Sequence, residues 1–463
     1  ETAGALSRRW SVRGNASQGL RQIEMFQTVS KWQTTLTEPA AVDDVVDTAF
    51  RVATTGRPGP VVIAVPEDVA YSAVPDSALK RRPRSSRVPV HRPAPDPEAL
   101  QQAARAILRA ERPALLVGGG AIASGAFAQV QALAEHLDAP VTTTMSGKGI
   151  IAESDPRAFG IAGSMGNPVA NQILKAADLV IFVGSKAGQI ATYGYEVPQP
   201  GTPSIHIDID PEEIGRNFAD SMPVVADART AVTALLDTLG AGRPKTTWDL
   251  ADLSRQLTGW YRDEMQPAGR APTPLHPPSV MEVVNRLASE DDVVVADASL
   301  ASGWMTVFYR ARRAARQYFS PRGLAGLGWG APAAIGAALA AGGGRRVLLF
   351  AGDGGFAYSV QELEVMVRLA LPVVTIIFNN DALGWIKHVE KKRLPDGFIS
   401  ADFSHVDFAA VARGFGARGY SVRTLDQLES ALQSERTPAG PALIDVASDQ
   451  WATPVLRFSS GGE

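Results

Sequence analysis

The sequence predicts an α/β protein made of three doubly wound parallel-sheet domains, of which the first is truncated. Short apolar runs rich in Val, Ile and Leu alternate with segments of helical spacing, as at residues 113–117, 126–137 and 178–183. This alternation is typical of buried parallel strands that are covered by helices. Two stretches rich in proline, residues 71–97 and 241–275, interrupt the pattern. They are interpreted as linkers, because proline cannot continue a helix or a central strand.

The composition excludes several functional classes. The chain of 463 residues has a formal net charge of −3, which gives no reason to expect nucleic acid or a membrane surface as a partner. It contains no cysteine, so disulfides, thiolate catalysis and cysteine-ligated zinc are excluded. The sequence has no run of about 18 apolar residues and no visible signal peptide, which favours a cytoplasmic location. Because the chain starts at Glu1 rather than Met, a preceding segment could still carry such a signal.

Residues 1–70 have the features of the end of a domain. Residues 42–55 predict a helix, with Val45, Val46, Ala49, Phe50 and Val52 largely on one face. Glycine and proline then break the helix, and the apolar run 61–65 predicts a buried strand. The basic side chains of the linker that follows are interpreted as a solvated strap rather than a nucleic-acid patch.

Residues 98–240 predict a second α/β domain. Its glycines 118–120 lack the full spacing of a dinucleotide fingerprint, which disfavours a Rossmann dehydrogenase. A later strand, residues 204–209, contains His206, which is interpreted as a satisfied core histidine rather than a metal ligand. The acidic residues at 210–213 predict a helix start, because acids favour the first turn of a helix.

Residues 276–455 predict a third α/β domain, organised around a strand, turn, helix, strand and turn at residues 347–385. Its first strand ends in glycines around Asp353, and its second strand ends at Asn379 and Asn380. Because parallel strands end at the same edge of a sheet, Asp353 and Asn380 are expected beside each other at the edge where such sheets bind ligands. One carboxylate and one amide oxygen suit Mg²⁺, which completes its octahedron with phosphate oxygens and water. The glycines allow backbone N–H groups to approach a phosphate.

Two helices of this domain are predicted from local signals. Residues 359–369 show helical spacing, with Leu369 on the apolar face. Residues 280–287 form a second apolar-periodic segment. The spacing of Ser279 and Glu282 before and within that segment predicts a capping box at its start.

The unit at residues 347–385 resembles the thiamine-diphosphate motif of the family that contains acetolactate synthase, pyruvate oxidase and benzoylformate decarboxylase. The runs TGRPGPVVIAVPEDV, SIHIDIDPEEIGRN and GLAGLGWGAPAAIGA extend the similarity over nearly the whole chain, most closely to the acetolactate synthase large subunit. The resemblance implies that residues 1–70 are the C-terminal part of a pyrimidine-binding domain. It implies a central nucleotide-binding-like domain at 98–240 and a thiamine-diphosphate- and Mg²⁺-binding domain at 276–455.

The resemblance also implies which residues hold the cofactor. In this family the motif aspartate and the second asparagine hold Mg²⁺, so Asp353, Asn380 and the backbone carbonyl of Ala382 are the expected metal ligands. Leu327 falls where a bulky apolar residue props thiamine diphosphate in a bent conformation. The full set of cofactor-binding residues that the resemblance implies is Ser299, Leu300, Ala301, Ala325, Leu327, Asp353, Gly354, Gly355, Asn380, Ala382, Leu383, Gly384 and Trp385.

The family uses a catalytic glutamate that hydrogen-bonds the aminopyrimidine ring of the cofactor. No early glutamate of this chain lies in a matching context, so that residue is expected upstream of Glu1. Four residues lie at positions that make them candidate pocket residues: Gln27, Trp385, Lys387 and His388.

Further expectations concern FAD and assembly. The central domain of the family binds FAD in some members and is empty in others. Residues 184–189 depart from the arginine-phenylalanine-aspartate pattern that contacts FAD, which counts against FAD as a ligand here.

The active sites of the family lie between the pyrimidine domain of one subunit and the diphosphate domain of another. The resemblance therefore implies a homodimer or homotetramer.

The resemblance specifies the cofactor better than the substrate. Residues 299–301 are Ser-Leu-Ala where many relatives have Gly-Gln-His, so a histidine that lies near the substrate in those relatives is missing. The first hypothesis is a carboligase of acetolactate synthase type that acts on a 2-oxo acid. The second is a 2-oxo acid decarboxylase or lyase on the same scaffold. The third is a non-catalytic homologue, if the natural chain truly begins at Glu1.

Overall fold

The computed structural model describes residues 2–3, 20–76, 89–266, 273–342, 344–394 and 397–455. Within them the chain forms one three-stranded and two six-stranded sheets. The strand pairs of all three sheets are parallel. This is the α/β parallel-sheet architecture that the alternation of strands and helices predicted. The basic cluster of the first linker lies outside the described residues.

The first sheet has the strand order β1-β3-β2. Its elements are β1 (Thr2–Ala3), α1 (Gln22–Phe26), β2 (Trp32–Thr35), α2 (Val42–Thr54), β3 (Val61–Pro66) and α3 (Glu67–Ala70). Helix α2 lies where the helical spacing predicted it, and its Val46 and Phe50 are 39% and 52% exposed. Only Ala49 and Thr54 of this helix are buried in the described chain, because the small sheet covers just part of the helix.

The second sheet has the order β6-β5-β4-β7-β8-β9. Its elements are α4 (Pro97–Arg109), β4 (Pro113–Val117), α5 (Gly119–Ser124), α6 (Phe127–Leu137), β5 (Val141–Thr143), β6 (Ala158–Ile161), α7 (Pro168–Ala176), β7 (Leu179–Val183), β8 (Ser204–Asp208), β9 (Ser221–Val225) and α8 (Ala228–Leu239). The strand order reverses between β4 and β7. The crevice outside the ends of these two strands is therefore a topological switch point, where open sheets bind ligands.

The third sheet has the order β11-β10-β12-β13-β15-β14. Helix α9 (Leu250–Met265) leads into it from the second sheet. Its elements are α10 (Pro277–Leu287), β10 (Val293–Ala296), α11 (Leu300–Gly303), β11 (Tyr318–Phe319), α12 (Gly330–Ala340), β12 (Val347–Gly352), α13 (Asp353–Ala357), α14 (Glu362–Arg368), β13 (Val373–Asn379), α15 (Gly384–Arg393), α16 (Phe408–Gly414), β14 (Arg418–Val422), α17 (Leu425–Ser434) and β15 (Ala442–Ala447).

One continuous hydrophobic core joins the two six-stranded sheets. It contains Phe182 from the second sheet, Phe350 and Ile376 from the third, and Tyr261 of α9 between them. The Tyr261 hydroxyl donates a hydrogen bond to the Val307 carbonyl at 2.9 Å. Close-packed protein interiors are stiff. The shared core therefore holds the carboxyl edges of the two sheets at a defined separation.

The helix start predicted at residues 210–213 is absent. After β8 the chain forms turns instead of a helix. Asp208 Oδ1 accepts a hydrogen bond from the Asp210 N–H at 3.0 Å, and Asp210 Oδ1 accepts one from Glu212 at 3.1 Å. These local bonds compete with the helical backbone bonds, because short acidic side chains readily cap turns. The acids therefore build a turn that leads to β9.

The capping box predicted at Ser279 is also wrong. Helix α10 begins at Pro277, because proline suits the first turn of a helix and both Pro277 and Pro278 are present. Ser279 lies inside the helix, and its hydroxyl donates to the Met265 carbonyl at 2.6 Å. Glu282 accepts a hydrogen bond from the Gln266 side chain at 2.5 Å. Both side chains therefore fasten α10 to the end of α9.

The helix predicted at residues 359–369 is divided differently. A short helix, α13, begins at Asp353, and α14 starts later than predicted, at Glu362. Leu363 and Met366 of α14 are buried, as helical spacing indicated, whereas Leu369 lies beyond the helix end and is 43% exposed.

Candidate active site

A cavity of about 1020 Å³ lies between the carboxyl edges of the two six-stranded sheets. One end is lined by the loops that follow β10, β12 and β13, and the other by the loops that follow β4 and β7. Both ends coincide with switch points in the strand orders. The shared core therefore positions two ligand-binding edges around one space.

Asp353 follows β12 and lies buried at the first of these ends. Its Oδ1 accepts a hydrogen bond from the Gly354 N–H at 2.8 Å, and its Oδ2 accepts from Asn380 at 3.2 Å and Ala382 at 3.3 Å. Burial raises the pKa of Asp353 to about 6 in spite of these bonds. Within the described residues no cationic side chain balances its charge. A buried carboxylate of this kind suits a bound cation.

Asn380 and Ala382 lie beside Asp353 at the same wall of the cavity. Asn380 Oδ1 accepts a hydrogen bond from the Ala382 N–H at 3.2 Å. Asp381 between them has φ 54°, so the chain folds back sharply after β13. A carboxylate, an amide oxygen and a nearby backbone carbonyl are hard ligands of the type that Mg²⁺ takes. The residues therefore fit the metal that the motif predicted.

Two glycines next to these oxygens pack closely against neighbouring side chains. A Cβ at Gly384 would lie 2.9 Å from Leu300 Cδ1, and one at Gly355 would overlap the Asp297 carboxylate. Asp297 in turn accepts hydrogen bonds from the Gly328 and Gly330 N–H groups, both at 3.0 Å. The loop after β10 and the start of α12 are thus held together at the cavity wall.

The structure brings the predicted cofactor-binding residues together. Each of them lines the cavity: Ser299, Leu300, Ala301, Ala325, Leu327, Asp353, Gly354, Gly355, Asn380, Ala382, Leu383, Gly384 and Trp385. Their part in holding a cofactor stays a prediction. Ser299 has φ 66° in the loop before α11, a conformation that is strained for a residue with a side chain.

Three of the four candidate pocket residues do not line the cavity, namely Gln27, His388 and Lys387. Gln27 follows α1 on the first sheet and is exposed there. His388 packs against Trp451, with ring centroids 6.1 Å apart, and its Nε2 lies 3.3 Å from the Ala452 carbonyl. A helix turns by about 100° per residue. Helix α15 therefore presents Trp385 to the cavity while His388 contacts the C-terminal segment.

Lys387, the third candidate on α15, is also directed away from the cavity. Its Nζ donates a hydrogen bond to Gln450 Oε1 at 2.7 Å and pairs with Asp402. The same ammonium lies 5.2 Å from the centroid of the Trp451 ring. These contacts fasten α15 to the C-terminal segment, which is a structural role.

The sequence-based predictions missed the middle of the cavity. Met145, Met165, Trp304 and Arg322 line this part, and the first three are buried apolar side chains. Met145 and Met165 come from the second sheet's loops, and Trp304 follows α11. The one available signal was Arg322 itself, a cation that stands just before the glycine-rich run GLAGLGWG.

The end of the cavity at the second sheet is formed by close backbone packing. The Gly118 N–H donates to the Val183 carbonyl at 2.9 Å, and a Cβ at Gly120 would lie 2.8 Å from Gly184 Cα. His206 beside them is buried, with Nε2 2.8 Å from the Ser185 carbonyl, and burial lowers the pKa of His206. The interpretation of His206 as a core histidine is confirmed.

Comparisons with known proteins identify the family. Residues 100–235 match the model of the thiamine pyrophosphate enzyme central domain, and residues 297–446 match the model of the C-terminal TPP-binding domain. None of the described helices is long and apolar enough to cross a membrane.

The regions aligned with similar proteins cover most of the chain. The probable acetolactate synthase large subunit of Methanocaldococcus jannaschii is 30% identical over 453 residues, which cover 95% of this chain and 75% of that protein. The acetolactate synthase isozyme 1 large subunit of Escherichia coli K12 is 32% identical over 408 residues, which cover 88% and 70%. The crystal structure of benzoylformate decarboxylase from Polynucleobacter necessarius superposes with a TM-score of 0.80 at 22% identity, covering 98% of this chain and 82% of that one, and shows the shared fold. The chain therefore belongs to the thiamine pyrophosphate enzyme family, as do the acetolactate synthase large subunits to which it is similar.

Proposed function

We propose that this chain is a carboligase of acetolactate synthase type, which depends on thiamine diphosphate and Mg²⁺ and joins a 2-oxo acid to a second carbonyl compound. The observation that carries the proposal is the meeting of the Asp353 carboxylate, the Asn380 amide oxygen and Ala382 at one cavity wall. The similarity to acetolactate synthase large subunits over 95% of the chain supports the same activity.

Different residues of the cavity would bind different parts of the cofactor. Asp353, Asn380 and the Ala382 carbonyl would hold Mg²⁺, and the turn around Ser299 would contact the diphosphate. Leu327 is a bulky apolar residue that lines the cavity and would support the bent form of the cofactor. When bound, thiamine diphosphate supplies an electron sink for the electron pair that remains when a 2-oxo acid loses CO₂.

The apolar middle of the cavity favours transfer to a carbonyl over simple protonation. Met145, Met165 and Trp304 are buried there and offer no proton donor beyond the indole N–H. These side chains would reduce the water around the reacting carbon, and less water disfavours the protonation that would release an aldehyde. The chain would therefore favour joining two substrates over decarboxylation alone.

A 2-oxo acid decarboxylase or lyase on the same scaffold is the second candidate. It is favoured by the Ser-Leu-Ala sequence at residues 299–301, which departs from the Gly-Gln-His of many relatives. In this chain the loop that follows β10 therefore lacks the substrate contact of those relatives.

Product analysis separates the two candidates. The natural protein is incubated with pyruvate, thiamine diphosphate and Mg²⁺, and the products are identified by NMR. Acetolactate is the expected product, whereas acetaldehyde alone would favour the lyase. The absence of any pyruvate turnover would contradict the carboligase proposal.

We also propose a homodimer or homotetramer with sites between subunits. Support comes from exposed apolar side chains near the cavity, where Leu324, Trp329 and Tyr358 are 94%, 39% and 69% exposed. Light scattering coupled to size exclusion measures the mass, and a monomer at micromolar concentration would contradict the proposed oligomer.

FAD and the glutamate upstream of Glu1 stay predictions. The visible absorption of the purified protein tests for flavin.

A further inference from the structure

Asp445 is a buried carboxylate of β15 that joins two chain segments around the candidate metal site without lining the cavity itself. Its Oδ1 accepts a hydrogen bond from Asn379 Nδ2 at 3.0 Å, and its Oδ2 accepts one from the Phe408 N–H at 2.9 Å. We propose that Asp445 is a positioning residue, which holds residues 380–382 in the geometry that binds Mg²⁺. This inference rests on the metal site that is part of the function proposed above.

The first of the two segments is the metal turn, residues 380–382, which carries two of the predicted metal ligands. Asn379 is the last residue of β13 and directly precedes this turn. Besides its bond to Asp445, its Nδ2 donates to the Val406 carbonyl at 3.0 Å. One amide group therefore connects the start of the metal turn with Asp445 and with the chain around Val406.

The second segment is the backing segment, residues 401–408, which lies against the metal turn. The Phe403 N–H donates to the Asp381 carbonyl at 2.7 Å. The Leu383 N–H donates to the Ala401 carbonyl at 2.8 Å, and an antiparallel bridge lies between these two bonds. The metal turn is therefore hydrogen-bonded to the backing segment on both sides of its predicted carbonyl ligand.

The backing segment also contacts the helix that begins at Asp353. A Cβ at Gly354 would lie 2.9 Å from a ring carbon of Phe403, so this ring packs against the peptide group that donates to Asp353. The ring of Phe408 lies 5.9 Å from that of Phe356 in α13, and both side chains are buried. Because close-packed groups move together, a shift of the backing segment would disturb the contacts of Asp353 as well as the metal turn.

The two hydrogen bonds to Asp445 are the contacts that fix its carboxylate. Asp445 is 6% exposed, and burial raises its pKa, whereas the bonds from Asn379 and Phe408 lower it. No lysine or arginine of the described residues pairs with it. Hydrogen bonds to an ionised group are stronger than those between neutral groups. A single rigid carboxylate therefore fastens the end of β13 to the end of the backing segment.

Asparagine at this position would separate the two contacts at nearly constant side-chain volume. Its amide has one acceptor oxygen, and its NH₂ group can only donate. In D445N the oxygen accepts from Asn379 or from Phe408, and the NH₂ group faces the other donor. The substitution therefore releases one of the two segments and leaves a buried donor without an acceptor, which is unfavourable.

The test measures metal binding apart from turnover. Wild-type protein and D445N are titrated with Mn²⁺, which takes the same oxygen ligands as Mg²⁺, in the presence of thiamine diphosphate. EPR follows the free Mn²⁺. We expect D445N to weaken Mn²⁺ binding about tenfold, the effect of losing a hydrogen bond to a charged group.

A second variant tests the route through the backing segment. F403A removes the ring that packs against Gly354 and should weaken Mn²⁺ binding in the same direction. The double variant with D445N should lose less than the product of the two single losses, because both changes act on one segment. F403A also provides a test if D445N does not fold, since the Phe403 side chain is 39% exposed.

D292N is the control for lost stability alone. Asp292 is buried and pairs with Arg346 just before β10, at the opposite end of the parallel strands from the metal turn. D292N should lower the midpoint of urea unfolding but leave the Mn²⁺ affinity of the folded protein unchanged. Circular dichroism checks that each variant is folded under the conditions of the titration.

The contrary outcomes distinguish this inference from the proposed metal site. Unchanged Mn²⁺ affinity in D445N, or equal losses in D445N and D292N, would overturn the positioning role. Unchanged affinity in F403A, or fully multiplicative losses in the double variant, would overturn the route through the backing segment. If wild-type protein binds no Mn²⁺, or if D353N binds it as tightly as wild type, the metal site itself fails, and the role of Asp445 fails with it.

Discussion

The Asn380 backbone N–H donates a hydrogen bond to the Asp353 carboxylate at 3.2 Å, although 27 residues separate the two in the chain. The bond is possible because β12 and β13 are parallel neighbours and end at the same edge. Gly352 is paired with Phe378, so the residues that follow each strand meet. The candidate metal site is thus a direct product of strand pairing, and the predictions that follow test the contacts around it.

We predict that D353N weakens Mg²⁺ binding by about 10- to 100-fold, because a charged oxygen ligand is replaced by a neutral one. Isothermal titration with Mg²⁺ and thiamine diphosphate measures the change. The matched control is D381N, which alters an exposed acid of the same turn that contacts His405 at 3.0 Å. Equal Mg²⁺ affinity in D353N and wild type would refute the assignment.

Asp297 should contribute to stability through the loop that it holds. Its two oxygens accept from Gly328 and Gly330, both at 3.0 Å, and the carboxylate is buried. D297N replaces one acceptor with an NH₂ group and leaves a buried N–H unpaired, which costs about 1–3 kcal/mol. Urea unfolding measures this loss. The control D291N changes an exposed acid that precedes β10 and should cost less than about 0.5 kcal/mol.

G384A should disturb the cavity wall through Leu300. The new Cβ would lie 2.9 Å from Leu300 Cδ1, so the leucine side chain, which lines the cavity, has to shift. We expect thiamine diphosphate affinity to fall at least about fivefold, within the range of overpacking costs of about 1–3 kcal/mol. The double variant with L300A should recover much of that loss, and additive effects would contradict the contact.

A substitution at a second glycine, Gly336, is expected to stabilise the protein rather than to disturb the cavity. Gly336 lies inside α12, and a Cβ there would meet nothing within 4 Å. G336A should therefore stabilise the protein by about 0.5–1 kcal/mol, because alanine favours helix more than glycine does. The midpoint of urea unfolding should rise, and thiamine diphosphate affinity should stay at the wild-type value. A lower midpoint would mean that this face of α12 is covered in the assembled protein.

The buried pair of Arg346 and Asp292 should stabilise the third sheet. Arg346 Nε lies 2.9 Å from Asp292 Oδ1 and Nη2 lies 2.6 Å from Oδ2, and both side chains are buried. R346M leaves an uncompensated carboxylate and should cost about 3–5 kcal/mol of unfolding free energy. Removing both charges in R346M with D292L should cost clearly less, as urea unfolding would show. Equal costs would mean that Arg346 acts mainly through its bonds to backbone carbonyls.

Local sequence signals predicted the strands well and the ends of helices less well. β4, β7, β12 and β13 lie where apolar runs placed them, because a strand buried on both faces must be apolar throughout. The helix expected at residues 210–213 became a turn, since acidic side chains there bond to backbone N–H groups. Capping signals identify residues that can end a helix, but turns use the same residues.

The sequence by itself determined the order of strands and helices and the meeting of Asp353 with Asn380, because both follow from patterns within a few dozen residues. Only the tertiary structure decided which side chains share the cavity. Arg322 contacts Met145, which is 177 residues away in the chain, and α15 presents Trp385 to the cavity while Lys387 and His388 contact the C-terminal segment. The physical reason is that periodicity reports whether a residue is buried, whereas its partner depends on how distant elements pack.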